Sequence, residues 1–188
     1  MKTLSTQAVF AYWDGLRGSR SAPERGEIEP GAVRHALLDT FILENGKGGL
    51  AFRLAGTRLC AMFGGELRDR TFASLWTEPV SRVEIMRMVD AVMDESAGAV
   101  TGLRASTAHG ASADFELLVL PLRHGGKTHS RVLGALSPVI PPDWLGQHPV
   151  TATEVRSMRI IWPSGRPRPA NAPEERRARF TLLHGGRS

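Results

Sequence analysis

Leu50-Ala51-Phe52-Arg53-Leu54-Ala55-Gly56-Thr57-Arg58-Leu59-Cys60-Ala61-Met62-Phe63-Gly64-Gly65-Glu66-Leu67 decides the fold of this 188-residue chain. Residues 50–54 read as a short strand, Gly56 as its exit turn, residues 57–63 as one or two helical turns, and Gly64-Gly65 as the stop. No catalytic group stands at motif spacing within it. A strand feeding straight into a short helix is the layout of a small α/β unit whose helices wall a pocket.

Upstream, residues 40–43 form an apolar run, and Asn45-Gly46-Lys47-Gly48-Gly49 is a turn. With residues 50–54 this predicts a β-hairpin. Residues 5–18 carry Val9, Phe10, Trp13 and Leu16 at three- and four-residue spacing, with Ser5 or Thr6 as cap and Gly18 as stop, so an amphipathic helix is expected there. A second short helix is predicted from Glu29-Pro30, with Val33, Leu37 and Leu38 on its apolar face.

Downstream, a helical turn is expected over 71–76, and the clearest helix opens at Thr77 as its cap. Glu78 and Pro79 suit its first turn, Val80, Val83, Met86, Val89, Val92 and Met93 form one stripe, and it ends before Gly98. Strands follow at 100–106, 113–122 and 131–136, joined by hairpins at His109-Gly110 and 124–127. A further strand over 155–162 is expected beyond Pro138, Pro141 and Pro142.

The fold class expected is α+β: a five-stranded antiparallel sheet with helices on one face, plus an N-terminal helical extension. The expected organisation is an extension over 1–38, a core over 39–140, a C-terminal extension with a strand over 141–162, and a basic Pro/Arg-rich flexible tail over 163–188.

Hydrophobic residues make up 41% and charged residues 23%, the composition of a soluble globular chain. The net charge is +5, yet its distribution speaks against a nucleic-acid surface on the body. Residues 156–188 hold eight Arg against two acidic residues, which leaves residues 1–155 with 16 basic and 17 acidic side chains. Cys60 is the single cysteine, so no intrachain disulfide forms. No apolar run approaches the roughly 20 residues of a membrane span, and the N-terminus lacks the apolar core of a signal peptide. A cytoplasmic protein is expected.

The order of two strands, a group of helices and three strands resembles that of a PAS domain. The chain resembles in particular the PAS_5 type, a PAS-like family common in alphaproteobacteria. The resemblance is carried by Trp13, Leu16-Arg17-Gly18, Pro23, Arg25, Ile28 and Pro30, then by Phe52-Arg53-Leu54-Ala55-Gly56-Thr57 and Phe63-Gly64-Gly65-Glu66-Leu67, and spans roughly residues 8–140. It implies a bacterial sensory or regulatory module that works through protein contacts. No ligand or cofactor carries over with it. PAS domains elsewhere hold haem, flavin or small metabolites. The reactive cysteine of a photoactive flavin domain sits in an Asn-Cys-Arg-Phe-Leu-Gln context, whereas Cys60 lies in Arg58-Leu59-Cys60-Ala61-Met62-Phe63 and reads as a small core residue.

His35, His109, His124, His129, His148 and His184 show no metal-ligand spacing, and neither Gly-Gly turn has the frame of a phosphate loop. Asp114 and Glu116 share a strand face, as an acid/base pair would; a solvent-facing edge is the plainer reading. The candidate pocket residues are Leu54, Leu59, Met62, Phe63, Trp76, Met86, Phe115 and Leu117, which would admit a small apolar ligand, with ordinary core packing as the alternative. Val9, Phe10, Trp13 and Leu16 are the candidate surface for a protein partner or homodimer. Two rival functions remain: nucleic-acid or anionic-membrane binding through the basic tail, and a small α+β-cup enzyme.

Overall fold

The computed structural model describes residues 1–125 and 127–162. Its centre is an antiparallel sheet built from β1 (Thr40–Gly46), β2 (Gly49–Ala55), β3 (Gly98–Thr107), β4 (Ser112–His124), β5 (Lys127–Pro138) and β6 (Val150–Ile161). The strand order is β2-β1-β5-β4-β3-β6. The expected sheet of five strands therefore has six, because residues 150–161 pair with β3 along its whole length. This last strand starts five residues before its predicted start at 155.

Between β2 and β3 lie α2 (Thr57–Met62), a 3-10 turn over Phe72–Leu75 and α3 (Pro79–Glu95). They cover one face of the sheet, hereafter the inner face. The cap of α3 is Glu78 and not Thr77: the Glu78 carboxylate accepts from the Val80 and Ser81 N–H groups. Thr77 instead donates its hydroxyl to the Thr151 carbonyl on β6. The buried side of α3 is Ser81, Ile85, Met88, Val89, Val92 and Met93. Val80 and Val83, predicted as part of its apolar stripe, are exposed. The helix is turned so that Ser81 Oγ accepts from the Val155 N–H, which fastens α3 to β6.

The N-terminal helix was expected as an extension to a sheet with helices on one face. The structure places α1 (Leu4–Arg17) on the other, outer face, against β4 and β5. Thr6, Val9, Trp13 and Arg17 form its buried stripe. The short helix predicted from Glu29-Pro30, with Val33, Leu37 and Leu38 on its apolar face, is instead two 3-10 turns, Pro30–Val33 and Leu37–Asp39, that lead into β1. With both faces covered, β4 is buried from Phe115 to Leu122. Phe115, Leu117 and Val119 enter the inner core, and Leu118, Leu120 and Leu122 the outer one. Glu116 is consequently not on a solvent-facing edge: β4 is a central strand and this carboxylate is 3% exposed.

Candidate functional site

Seven of the eight pocket candidates meet on the inner face. Leu59, Met62, Trp76, Phe115 and Leu117 are buried in one cluster, and Phe63 and Met86 pack against it partly buried. Leu54 lies elsewhere, 39% exposed on the edge strand β2. Phe41, Phe52, Phe72 and Trp76 form the middle of this core, with neighbouring ring centroids 5.6–5.7 Å apart. Gly134 makes the arrangement possible, since the Phe41 ring occupies the space a Cβ on β5 would need.

One polar atom in this apolar setting stands out. The Trp76 side chain is 1% exposed, and its indole Nε1 has no hydrogen-bond acceptor among the described residues. Buried indole N–H groups are ordinarily paired. Thr101 Oγ1, buried on β3, is likewise without a partner among the described residues. Cys60, on α2, is half-buried, packs against the same core and donates its thiol to Glu66 Oε1 at 3.7 Å.

On the outer face, two buried carboxylates hold α1. Glu116 Oε1 accepts from the Lys2 N–H at 2.7 Å, the Thr3 N–H at 3.2 Å and the Thr6 hydroxyl at 2.5 Å. Burial raises the Glu116 carboxyl; these hydrogen bonds and the N-terminal charge outweigh it and leave the group below its ordinary value. Ser137 on β5 donates to Thr3 Oγ1, adding a tie from a second strand. Asp39 accepts from Ser5 Oγ at 2.6 Å and from Arg58 Nη1 at 2.9 Å. It joins α1 on the outer side to α2 on the inner side. Burial pushes the Asp39 carboxyl up by more than Ser5 and Arg58 draw it down.

The acid/base pair considered from the sequence is thus occupied twice over: Asp114 pairs with Arg104 at 2.9 Å, and Glu116 holds the start of α1. Sequence reasoning missed Asp39, whose partners are 34 and 19 residues away. Glu116 did carry a signal, a lone acid in an apolar run. His109 and His148 also come together, with ring centroids 5.0 Å apart in a T-shaped pair. Among the described residues, no three His, Cys, Asp or Glu side chains converge to hold a metal.

Of the four partner candidates, Val9 and Trp13 are fully buried against the chain's own sheet, and Phe10 and Leu16 are partly buried beside them. Trp13 Nε1 donates to the Pro121 carbonyl at 2.8 Å, and the Arg17 guanidinium lies over its ring at 5.6 Å. The Pro23 carbonyl accepts from the Arg123 N–H. Trp13, Arg17 and Pro23 together seat the N-terminal segment on β4.

The profile of the PAS_5 family, a PAS domain, matches residues 1–137. The chain belongs to the PAS domain family. The matched residues include α1 and its buried ties. No curated protein matches the chain. Among solved structures, it is similar to a light-oxygen-voltage domain studied with a flavin analogue, at 14% identity and a TM-score of 0.47 over 62% of this chain and 87% of that one. It is similar to the light-state structure of the blue-light photoreceptor Aureochrome1 LOV, at 15% identity and a TM-score of 0.44 over 62% of this chain and 91% of that one. An RNA-binding light-oxygen-voltage receptor is similar at 18% identity and a TM-score of 0.43 over 66% of this chain and 36% of that one. No described helix of the PAS protein is long and apolar enough to cross a membrane.

Proposed function

We propose that this PAS protein is a cytoplasmic, non-enzymatic regulator that signals through contacts with a protein partner or a second copy of itself. A small, mainly apolar ligand in the inner core sets its state. The sensing unit is residues 39–140, with residues 1–38 and 141–162 built onto its two sides.

The observation that carries the reading is the unpartnered Trp76 Nε1. An indole N–H buried without an acceptor costs about 1–3 kcal/mol. A ligand bearing one acceptor atom on an apolar body would recover that cost. Met62, Met88 and Met93 in the same cluster are flexible side chains that can move aside for it. Such a ligand shifts the protein only through different affinities for two arrangements of α2 and α3 on the sheet. Asp39 then offers the route outward, since α2 and α1 share its carboxylate.

Native mass spectrometry of the full chain and of Trp76→Phe tests this. The wild-type protein should carry a co-purified small molecule that Trp76→Phe loses while keeping its fold. Absence of any bound molecule from both proteins, with Trp76→Phe the more stable in urea, would show that the indole is merely an unsatisfied donor and would sink the ligand.

A further inference from the structure

α1 does not reach across the whole outer face. It covers β4 and β5 and leaves a groove of about 800 Å³ over β3 and β6, bounded by Met1 and Lys2 on one side and by residues of β6 on the other. That size lies within the range of about 300–1,000 Å³ usual for small-molecule pockets. The floor is Gly102 beside Ser157: a Cβ at Gly102 would stand 2.7 Å from Ser157 Oγ. Glycine keeps the floor low where any other residue would rise into the groove.

Four cationic side chains line it: Lys2, Arg104, Arg156 and Arg159. They come from three separate segments. Its two carboxylates are already engaged, Asp114 by Arg104 and Glu116 by the start of α1. Among the described residues, Arg156 has only an ion pair with Glu154 at 3.1 Å, both side chains being more than half exposed. Neither the Lys2 ammonium nor the Arg159 guanidinium has a hydrogen-bond or ion-pair partner among the described residues. Among the described residues, Lys2 and Arg159 therefore leave positive charge unpaired on two opposite sides of the Gly102–Ser157 floor.

We propose that this groove binds a small phosphate-bearing anion of nucleotide size. Arg156 and Arg159 would take its phosphates from β6, and Lys2 from the opposite side. Arginine forks match phosphate oxygens two at a time, and the ammonium acts as a point charge. The Gly102–Ser157 floor, with Val100 beside it, accommodates a flat, less polar body. An extended nucleic acid fits less well: it needs a continuous basic track, and the β3 end of this groove is neutralised where Arg104 meets Asp114. The site lies on the face opposite the inner core and does not depend on a ligand there. Its occupant would touch Lys2, whose N–H is held by Glu116, and so would act directly on the seating of α1.

Isothermal titration of the full chain with ATP at low salt tests the proposal, with pyrophosphate, a tetraglutamate peptide and a twelve-residue oligothymidylate as competitors. The expected result is saturable one-to-one binding of ATP that pyrophosphate displaces. Arg159→Glu and Arg156→Glu should each weaken it by roughly tenfold or more, the loss of one charge-assisted hydrogen bond. Arg87→Glu, an exposed position on α3, should leave it unchanged. All three substitutions are at exposed positions, so the fold should survive them. The proposal is overturned if ATP does not bind at millimolar concentration. It is equally overturned if binding survives Arg159→Glu, which would place the anion on residues 163–188, or if the peptide or the oligonucleotide binds more tightly than ATP.

Discussion

Trp13 and Pro121 are 108 residues apart in sequence, and the indole of one donates to the carbonyl of the other at 2.8 Å. This hydrogen bond fixes α1 to the central strand β4. Trp13→Phe should keep most of the packing and leave the Pro121 carbonyl unpartnered, at a cost of about 1–3 kcal/mol. Trp13→Ala should cost about 3–5 kcal/mol, because a cavity is added. Urea unfolding monitored by circular dichroism measures both. An unchanged midpoint in Trp13→Ala would mean that α1 is not held by this contact.

Stability should fall in acid in a way that depends on Glu116. Its carboxyl sits below the ordinary value in the folded protein, so the unfolded chain takes up that proton more readily. The contribution is complete above the unfolded value near 4.5 and disappears as the pH falls through the lower folded one. Glu116→Gln should therefore be less stable at neutral pH and show a flatter decline from pH 7 to pH 3. Equal slopes for the two proteins would exclude Glu116 as the source.

Ser5 and Arg58 never touch, yet both bond Asp39. A double-mutant cycle of Ser5→Ala and Arg58→Ala should give a coupling of about 0.5 kcal/mol or more. In an Asp39→Asn background the coupling should shrink towards zero. Strict additivity in the Asp39 protein would separate α1 from α2 energetically.

Gly134→Ala should be among the most damaging small substitutions in the chain. Its methyl group would meet the Phe41 ring, and overpacking of this kind costs about 1–3 kcal/mol. Phe41→Leu should recover part of the loss in the double variant. Gly56→Ala should admit no such rescue, since its methyl group would meet the backbone carbonyls of Leu37 and Leu38.

The strands and helices on the inner face could be read locally. Residues 40–55 are two apolar runs about a glycine turn, and residues 98–138 contain two further hairpins at the expected places. What escaped the sequence depends on contacts between distant segments. Residues 150–154 are polar enough to pass for loop, and pairing with β3 makes them strand. The roll of α3 is set by Ser81 bonding to β6, which no periodicity records. Val9 and Trp13 form an apolar stripe whether a partner or the chain's own sheet covers it, so only the fold distinguishes the two. Seven of the eight residues named as ligand-pocket candidates pack together in the inner core, because burial follows the apolar pattern. The unpaired Trp76 indole had no local signature at all.

The outermost strand, β6, has a consequence for how copies of this protein meet. A free sheet edge is a template onto which a second strand can zip. Here the template is broken at intervals. The Thr151 carbonyl and the Val155 N–H are taken by Thr77 and Ser81, and the register slips once beside Gly102 and again beside Thr107. Glu154, Arg156 and Arg159 stand exposed along the same strand. A neighbouring molecule finds no long uninterrupted rail to copy, so the edge discourages fibre-like stacking.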